Sequence, residues 1–271
     1  MRQISILILL TTRVAFGGFE LGDGGARAKA LGNAYLGLAD DVWSIYFNVG
    51  GLASLSKNEV SFFYSPRQFG MSELSYSLGA LAIPTGFGVV GLGARRYGFD
   101  LYREFSGTIS YANTVSGAGI GVSFNYHTVT IRSYGSAGTI GIDIGVLIPV
   151  MSQVRWGISA KNINGPTVGS SSEKLPQTFS TGIAYFPIEN LSLAFDYQKE
   201  TRFDASPRFG FEYHPIDAVA FRAGVSDEPS QYSGGLGIRY SAFQVDYAFT
   251  AHQELGWTHA ASVTISWGGP R

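Results

Sequence analysis

The chain has 271 residues, which is enough for one large domain or two modest ones. Its 19 basic and 20 acidic residues nearly cancel, so no global field attracts nucleic acid or an anionic surface. Only 14% of the residues are charged, 36 are glycine and none is cysteine. Soluble domains have about 25% charged residues and about 7% glycine, and a chain without cysteine forms no disulfide, thiolate metal site or cysteine-linked lipid anchor.

Residues 1–17 are typical of an export signal. Arg2 gives a positive start, Ile4–Leu10 form a short apolar run, and residues 15–17 (Ala-Phe-Gly) offer a cleavage site for a signal peptidase. The apolar run is shorter than the ~20 residues of a transmembrane helix. A buried first strand is the alternative, because Arg13 beyond the run departs from the signal pattern. The sequence therefore predicts a signal peptide over residues 1–17.

Residues 18–57 do not alternate as a strand would. This segment is rich in glycine and alanine, and Asp40 and Asp41 precede the run from Val42 to Phe47. Acidic residues at that place are typical of a helix cap, so one or two helical turns are expected there. Small residues permit close backbone packing, so we interpret residues 18–57 as a hatch, or plug, inside a barrel. A surface amphipathic helix is the alternative.

From residue 58 onward the apolar residues recur with period two. In residues 243–250, for example, Phe243, Val245, Tyr247 and Phe249 share one face, which excludes a helix and indicates a strand. An even number of such segments, most of them near the ~9–11 residues of a tilted membrane-crossing strand, is typical of outer-membrane barrels. The fourteen segments are residues 58–66, 72–83, 86–95, 102–113, 120–126, 140–146, 154–158, 176–187, 191–198, 208–214, 219–225, 232–241, 243–250 and 257–267.

The connections between these segments alternate in length. One set is tight and often contains proline, as at residues 149–151 and 187–190, whereas the other set is longer and more polar, as at residues 162–174. Proline suits the tight set because it fixes φ and has no N–H for the ladder. Short turns at one end and longer loops at the other are a second feature of outer-membrane barrels.

The direction of the apolar faces decides the fold class. A soluble barrel or sandwich would also show alternation, with the apolar face as its core. About eight strands already enclose only enough space for side chains, so fourteen apolar inner faces would leave a void. With the apolar faces toward lipid, the closed barrel satisfies every backbone group. We therefore predict an all-β fold: a 14-stranded antiparallel transmembrane β-barrel over residues 58–267, a tail over 268–271, an N-terminal hatch in the lumen, and a location in the bacterial outer membrane.

Charged residues on the inner faces are four of each sign. Mixed signs favour pairs that brace neighbouring strands. A selectivity ring for an ion or an anionic head group is the alternative, but a ring would carry one sign. The predicted lumen charges are Asp143, Arg155, Asp196, Arg208, Glu212, Arg222, Arg239 and Asp246.

Residues 25–53, GARAKALGNAYLGLADDVWSIYFNVGGLA, resemble the N-terminal hatch of the PorV/PorQ group and of the wider FadL-type outer-membrane transporters. That pattern has Gly-Ala-Arg, Gly-x-Ala-Tyr, two aspartates, an aromatic step and Asn-Pro-Ala-Gly-Leu. Val49 and Gly50 depart from it, standing where the family has proline and alanine. The resemblance implies a fourteen-stranded barrel closed by a hatch. The matching residues are Gly25, Ala26, Arg27, Gly32, Ala34, Tyr35, Asp40, Asp41, Asn48, Gly51 and Leu52.

The resemblance also implies a ligand route. In FadL-type proteins an apolar ligand enters from outside and leaves through a lateral gap at a kinked third strand. Residues 86–95 are the third segment here, and Val89-Val90 interrupts its alternation among four glycines. Glycine within a strand often marks a bulge, so a kink is expected at Gly88, Val89, Val90 and Gly91. The alternative is that these glycines accommodate the hatch.

Two functions from different classes follow. The first is passive passage of a small, fatty-acid-like hydrophobic compound through the hatch-plugged barrel. The second, which the PorV-like resemblance implies, is a non-transporting outer-membrane scaffold or cargo-binding subunit of a protein secretion system. The expected partners are accordingly outer-membrane lipid and either a hydrophobic small molecule or a secretion-system protein, with no nucleic acid.

Enzymatic chemistry has little support in the sequence. The four histidines have no metal-ligand spacing, and no nucleophile elbow or phosphate-binding loop is present. His259 lies near Ser262, but positions three apart in a strand point to opposite faces. We therefore predict no enzyme activity, no cofactor and no metal.

Overall fold

The computed structural model describes residue 19, residues 24–169 and residues 174–268. The predicted signal peptide lies outside the described residues, as do residues 269–271 of the predicted tail. Within the described part, no helix is both long enough and apolar enough to cross a bilayer.

Fourteen antiparallel strands form a closed barrel in which each strand pairs with its neighbours in sequence and the first strand pairs with the last. The predicted strand number and antiparallel order are confirmed. The strands are β1 Asn58–Ser65, β2 Tyr76–Thr85, β3 Gly88–Gly98, β4 Tyr102–Val115, β5 Ala118–Ile131, β6 Gly135–Met151, β7 Val154–Lys161, β8 Thr178–Ile188, β9 Leu191–Glu200, β10 Ser206–Ile216, β11 Val219–Ser226, β12 Gln231–Tyr240, β13 Phe243–His252 and β14 Gly256–Trp267.

The two ends of the barrel differ in their connections. At one end, called the turn end, all six hairpin connections have two residues, as at 116–117 and 241–242. At the other, called the loop end, the longest connection runs over residues 162–177. The connection between β1 and β2 contains a 3₁₀ helix at Ser72–Leu74, so the predicted second strand starts four residues too early.

Three proline-containing strand ends carry irregular pairing. The register shifts between Pro149 and Met151, between Tyr185 and Ile188, and between Tyr213 and Ile216. The last two intervals contain Pro187 and Pro215. Proline gives no N–H to the ladder, so it is placed at a bulge beside the turn.

The faces of the strands have the predicted polarity. Phe62 and Phe63 are neighbours in β1, yet Phe62 is 63% exposed on the outside while Phe63 is 2% exposed inside. Across the barrel the exposed large side chains are mostly phenylalanine, tyrosine, isoleucine and valine, whereas the inner faces carry alanine, serine, threonine and charged residues. An apolar outside on a closed sheet fits a hydrocarbon surrounding.

Residues 24–57, called the lumen segment, lie against the inner faces of the strands. The segment contains α1 Ala26–Ala30, α2 Ser44–Phe47 and a 3₁₀ helix at Val49–Ser54. α1 contacts β11 to β14, and the 3₁₀ helix contacts β3 to β6. The helical turn expected after Asp40 and Asp41 is α2, and the Asp41 carboxylate accepts a 2.9 Å hydrogen bond from the Trp43 N–H. The short α1 was not predicted.

The third strand pairs regularly at the position where a kink is expected. Val89 and Val90 pair without a register shift with Pro84 and Ile83 of β2, and with Ala112 and Tyr111 of β4. Val89 faces inward and is buried, so the two valines keep the alternation. The glycines at 91 and 93 instead contact the lumen segment: a Cβ at Gly91 would lie 3.1 Å from a methyl group of Leu52.

Candidate functional site

The candidate site is the interior of the barrel, where the lumen segment meets the strands. At Gly50 the segment touches backbone directly: a Cβ there would lie 2.6 Å from the carbonyl oxygen of Gly119 and 2.7 Å from that of Gly145. Any other residue would collide with β5 and β6. This explains the departure from the family pattern, because the alanine of that pattern has no space at position 50 in this barrel.

Asn48 holds the lumen segment in place beside Gly50. Its side-chain N–H₂ donates to the carbonyl oxygens of Leu36, at 3.1 Å, and Val146, at 2.9 Å. Its side-chain oxygen accepts from the Gly50 N–H at 3.2 Å. The amide is fully buried, so one side chain satisfies two carbonyl groups and caps the 3₁₀ helix.

Replacing Asn48 by aspartate is expected to displace the lumen segment around residues 48–50. The amide nitrogen that makes both donations becomes a carboxylate oxygen facing two carbonyl oxygens. A buried acceptor without a donor costs about 1–3 kcal/mol, or more when it is charged. Protease cleavage of the lumen segment should therefore accelerate in N48D. The matched control is N113D, because Asn113 lies exposed on β4. Equal cleavage rates in the two variants would contradict the role assigned to Asn48.

Arg27 of α1 is the centre of a buried ionic network. Its guanidinium donates two hydrogen bonds to the Glu212 carboxylate, at 2.8 and 2.9 Å. It also contacts Asp40 at 2.7 Å, Asp41 at 3.2 Å and the Tyr35 hydroxyl at 2.9 Å. Paired N–H groups on one carboxylate give the strongest geometry available to arginine. The network therefore ties α1 to β10.

The network continues across the strands. Arg222 donates to Glu212 at 2.5 Å and to Asp246 at 2.7 Å, which links β10, β11 and β13. Arg155 of β7 donates to Asp40 at 3.1 Å. Positive and negative side chains alternate along these contacts, so the network connects the strands to one another and to the lumen segment. It does not form a ring of one sign.

The remaining predicted lumen charges make contacts of their own, and Arg239 reaches the network only through Gln244, whose side-chain N–H₂ donates to Asp246 at 2.9 Å. Asp143 accepts from the Asn125 side chain at 2.8 Å and from the Asn162 N–H at 2.8 Å. Asp196 accepts from the N–H groups of Tyr35, at 2.6 Å, and Leu36, at 2.9 Å. Arg208 and Arg239 donate to neighbouring side chains, Ser206 and Gln244 respectively.

Titration within the lumen segment follows these contacts. Burial opposes ionisation of Asp40, but Arg27 and Arg155 outweigh it and hold the pKa of Asp40 below its usual value. Burial raises the pKa of Asp41; Arg27 opposes that shift and Asp40 adds to it. Burial also raises the pKa of the Tyr35 hydroxyl, which donates to Asp41 at 2.6 Å. Of Asp40 and Asp41, Asp40 therefore stays ionised more readily.

The other hatch residues expected from the sequence pattern are packing positions. Gly25 has φ 85° and lies against the Trp43 ring, and the Ala26 N–H donates to the Ser262 hydroxyl at 3.3 Å. Ser262 thus faces inward while His259 is exposed outside. Each of the remaining four is buried or lies against backbone: Gly32 against Val225, Gly51 against Ala39, and Ala34 and Leu52 with no exposed surface.

Sequence reasoning missed several inward-facing groups. The ammonium group of Lys161 donates to the Tyr46 carbonyl oxygen. Lys161 lies six residues after Arg155 and therefore on the same face of β7. Extending the predicted segment 154–158 by three residues would have included it. Arg95 and Arg96 are adjacent, and the pattern alone does not say which of them faces inward. Tyr46 donates its hydroxyl to the carbonyl oxygens of Gly79, at 2.8 Å, and Ala94, at 3.1 Å, and no sequence signal marks this contact.

A cavity of about 290 Å³, called the outer cavity, lies between the loop end and the lumen segment. Its walls are almost equally polar and apolar, with contributions from the β1–β2 and β11–β12 loops and from Lys29 and Asn33 below. Beneath it the lumen segment occupies the barrel. The outer cavity therefore ends at the lumen segment.

Solved structures with the same fold include a channel, a transporter and a FadL homologue. CymD, a monoaromatic hydrocarbon channel, matches with a TM-score of 0.70 at 14% identity over 92% of this chain and 99% of its own. TbuX, a toluene transporter of Ralstonia pickettii, gives 0.69 at 13% identity over 92% and 98%. A Pseudomonas aeruginosa FadL homologue gives 0.66 at 12% identity over 90% and 98%. Neither a protein-family model nor a curated protein matches the sequence.

These comparisons define the class of fold. The chain has the closed fourteen-stranded barrel seen in FadL-type hydrophobic-compound channels. At these identities the likeness concerns the fold alone.

Proposed function

We propose that the protein is a FadL-type channel of the bacterial outer membrane. In this proposal a small hydrophobic compound passes passively through the barrel, and the lumen segment is the hatch that controls it. The observation that carries the proposal is the burial of most of residues 24–53 inside a closed barrel with an apolar outside. No enzymatic step is part of it.

The extent of the structural matches supports the assignment of a hatch. The strands begin at Asn58 and end at Trp267, so a match over 92% of the chain extends into the residues before β1. The relatives with this fold are called channels for monoaromatic hydrocarbons or toluene transporters. We infer a ligand of related chemistry, a compact apolar molecule, for this chain.

The route proposed here differs from a lateral exit. The ladder is continuous on both sides of β3 at Val89 and Val90, so the described strands leave no gap there. The compound therefore has to pass the hatch toward the turn end, which we assign to the periplasm because its connections are short. Passage then requires part of the hatch to shift.

Uptake by reconstituted protein tests the proposal. Vesicles containing the purified barrel are expected to take up toluene faster than protein-free vesicles, with no matching gain for a sugar of similar size. The PorV/PorQ assignment and the secretion-scaffold function are supported by the sequence motif alone. Toluene uptake equal to that of protein-free vesicles, together with a protein partner bound to the loops, would replace the channel by the scaffold.

A disulfide between the hatch and the barrel gives a more specific test of the proposed movement. The native chain has no cysteine, and a Cβ at Gly210 would lie 3.0 Å from the Cβ of Leu31, close to the ~3.5–4.5 Å of a disulfide. We expect the L31C/G210C variant to lose toluene uptake when oxidised and to regain it after reduction. The reduced form of the same protein is the control. Equal uptake in both states would contradict passage by movement of the hatch.

A further inference from the structure

The outer cavity carries an excess of positive charge. Lys29, Arg95 and Arg208 contribute to its lining, against the single carboxylate of Glu104. That carboxylate accepts hydrogen bonds from the Phe19 N–H, at 3.0 Å, and the Tyr102 hydroxyl, at 2.7 Å. A purely apolar ligand would gain nothing from this charge, whereas an anion would.

Arg95 is the group that points to a specific ligand. Its guanidinium donates to the Ser106 hydroxyl at 3.3 Å, and among the described residues no carboxylate oxygen lies within ion-pair distance of it. A half-buried arginine without a carboxylate is costly. Its two-pronged N–H geometry matches a carboxylate or a phosphate.

The cavity above Arg95 is lined by aromatic rings. Tyr76 and Tyr97 both contribute to its wall, with their ring centroids 6.3 Å apart in an edge-to-face arrangement. Both lie nearer the loop end than Arg95 does, since β3 runs toward that end and Tyr76 begins β2 there. A ligand would therefore place its charged group deep, on Arg95, and a ring above it beside the tyrosines.

The size of the cavity limits the ligand. A volume of about 290 Å³ is at the lower end of the ~300–1,000 Å³ of small-molecule sites. A pocket of about 20 Å³ lies below Arg95, beside His127 and Tyr46, and has room for about one water molecule. A single-ring acid fits this space.

We propose that the outer cavity binds the anion of a single-ring aromatic acid, with its carboxylate on Arg95 and its ring beside Tyr76 and Tyr97. The proposal rests on the proposed function, because it names the ligand of the cavity that feeds the channel. It separates this barrel from a channel for uncharged arenes alone.

Binding of benzoate and benzamide to the full chain in detergent tests this site. The two probes share a ring and differ in charge. At neutral pH we expect benzoate to bind the wild-type protein at least about tenfold more tightly, in line with a charge-assisted hydrogen bond. The R95M variant should lose this preference while keeping its affinity for benzamide.

Arg96 supplies the matched control. It is the next residue on β3 and is exposed on the outer face, so R96M should keep the benzoate preference. Equal affinities for both probes in the wild type would overturn the proposal, as would equal losses in R95M and R96M. Toluene uptake by the same preparations separates the two claims: uptake without a benzoate preference rejects the acid site alone, and absent uptake rejects the channel.

Discussion

Replacing Glu212 by glutamine is expected to release the hatch. Glu212 is buried and neutralises both Arg27 and Arg222, so E212Q leaves two guanidinium groups with one carboxylate fewer. Removing one partner of a buried ion pair costs about 3–5 kcal/mol. The hatch is held without strand pairing, so the loss of stability should appear there first. We expect faster protease cleavage within residues 24–57 and leakage of a small sugar from vesicles.

The control for E212Q is D217N. Asp217 lies exposed in the two-residue turn that follows β10, and its neutralisation should leave cleavage and leakage unchanged. Together with R27Q, the double variant E212Q/R27Q completes a double-mutant cycle that measures the coupling between Glu212 and Arg27. If E212Q behaves like D217N, the ionic network does not hold the hatch.

Replacing Gly121 by alanine is expected to push the hatch away from β5. A Cβ at this position would lie 2.6 Å from the carbonyl oxygen of Val49 and 3.0 Å from the N–H nitrogen of Gly50. Both neighbours are backbone and cannot rotate aside, so overpacking should cost about 1–3 kcal/mol. The expected result is a lower free energy of unfolding in denaturant titrations of the protein in lipid vesicles.

Gly107 on the neighbouring strand β4 provides the matched comparison. A Cβ there would meet only a ring atom of Phe105 at 3.7 Å. G107A should therefore be neutral or stabilise by up to about 1 kcal/mol, because alanine loses less backbone freedom on folding. Destabilisation of the same size in both variants would mean that the hatch does not approach β5 as closely as the structure describes.

The barrel could be predicted from sequence because its signals are local. Each strand repeats a period of two, and the two-residue turns mark one end, so the number of strands and the direction of their faces follow without knowledge of their partners. The positions of strand ends were less certain. Ser72–Leu74 alternate in sequence yet form a 3₁₀ helix, since a loop can satisfy the same pattern.

The contacts of the hatch could be predicted only in part. The motif marked Arg27, Asp40 and Asn48, but their partners Glu212, Arg155 and Val146 are fixed by how the barrel closes around the segment. The regular pairing of β3 at the expected kink has a related reason. Glycines in a strand signal a close approach, and here the approaching group is the hatch and not a bulge of the strand itself.

The rate of chemical labelling behind the hatch tests the account most directly. Ala248 is fully buried on the inner face of β13, against α1, and the native chain has no cysteine to interfere. A charged maleimide should label A248C on the order of a hundredfold more slowly than A242C, because labelling at position 248 requires local opening. Ala242 is half-buried in the two-residue turn before β13. Labelling of A248C as fast as A242C would show an open lumen and contradict the hatch.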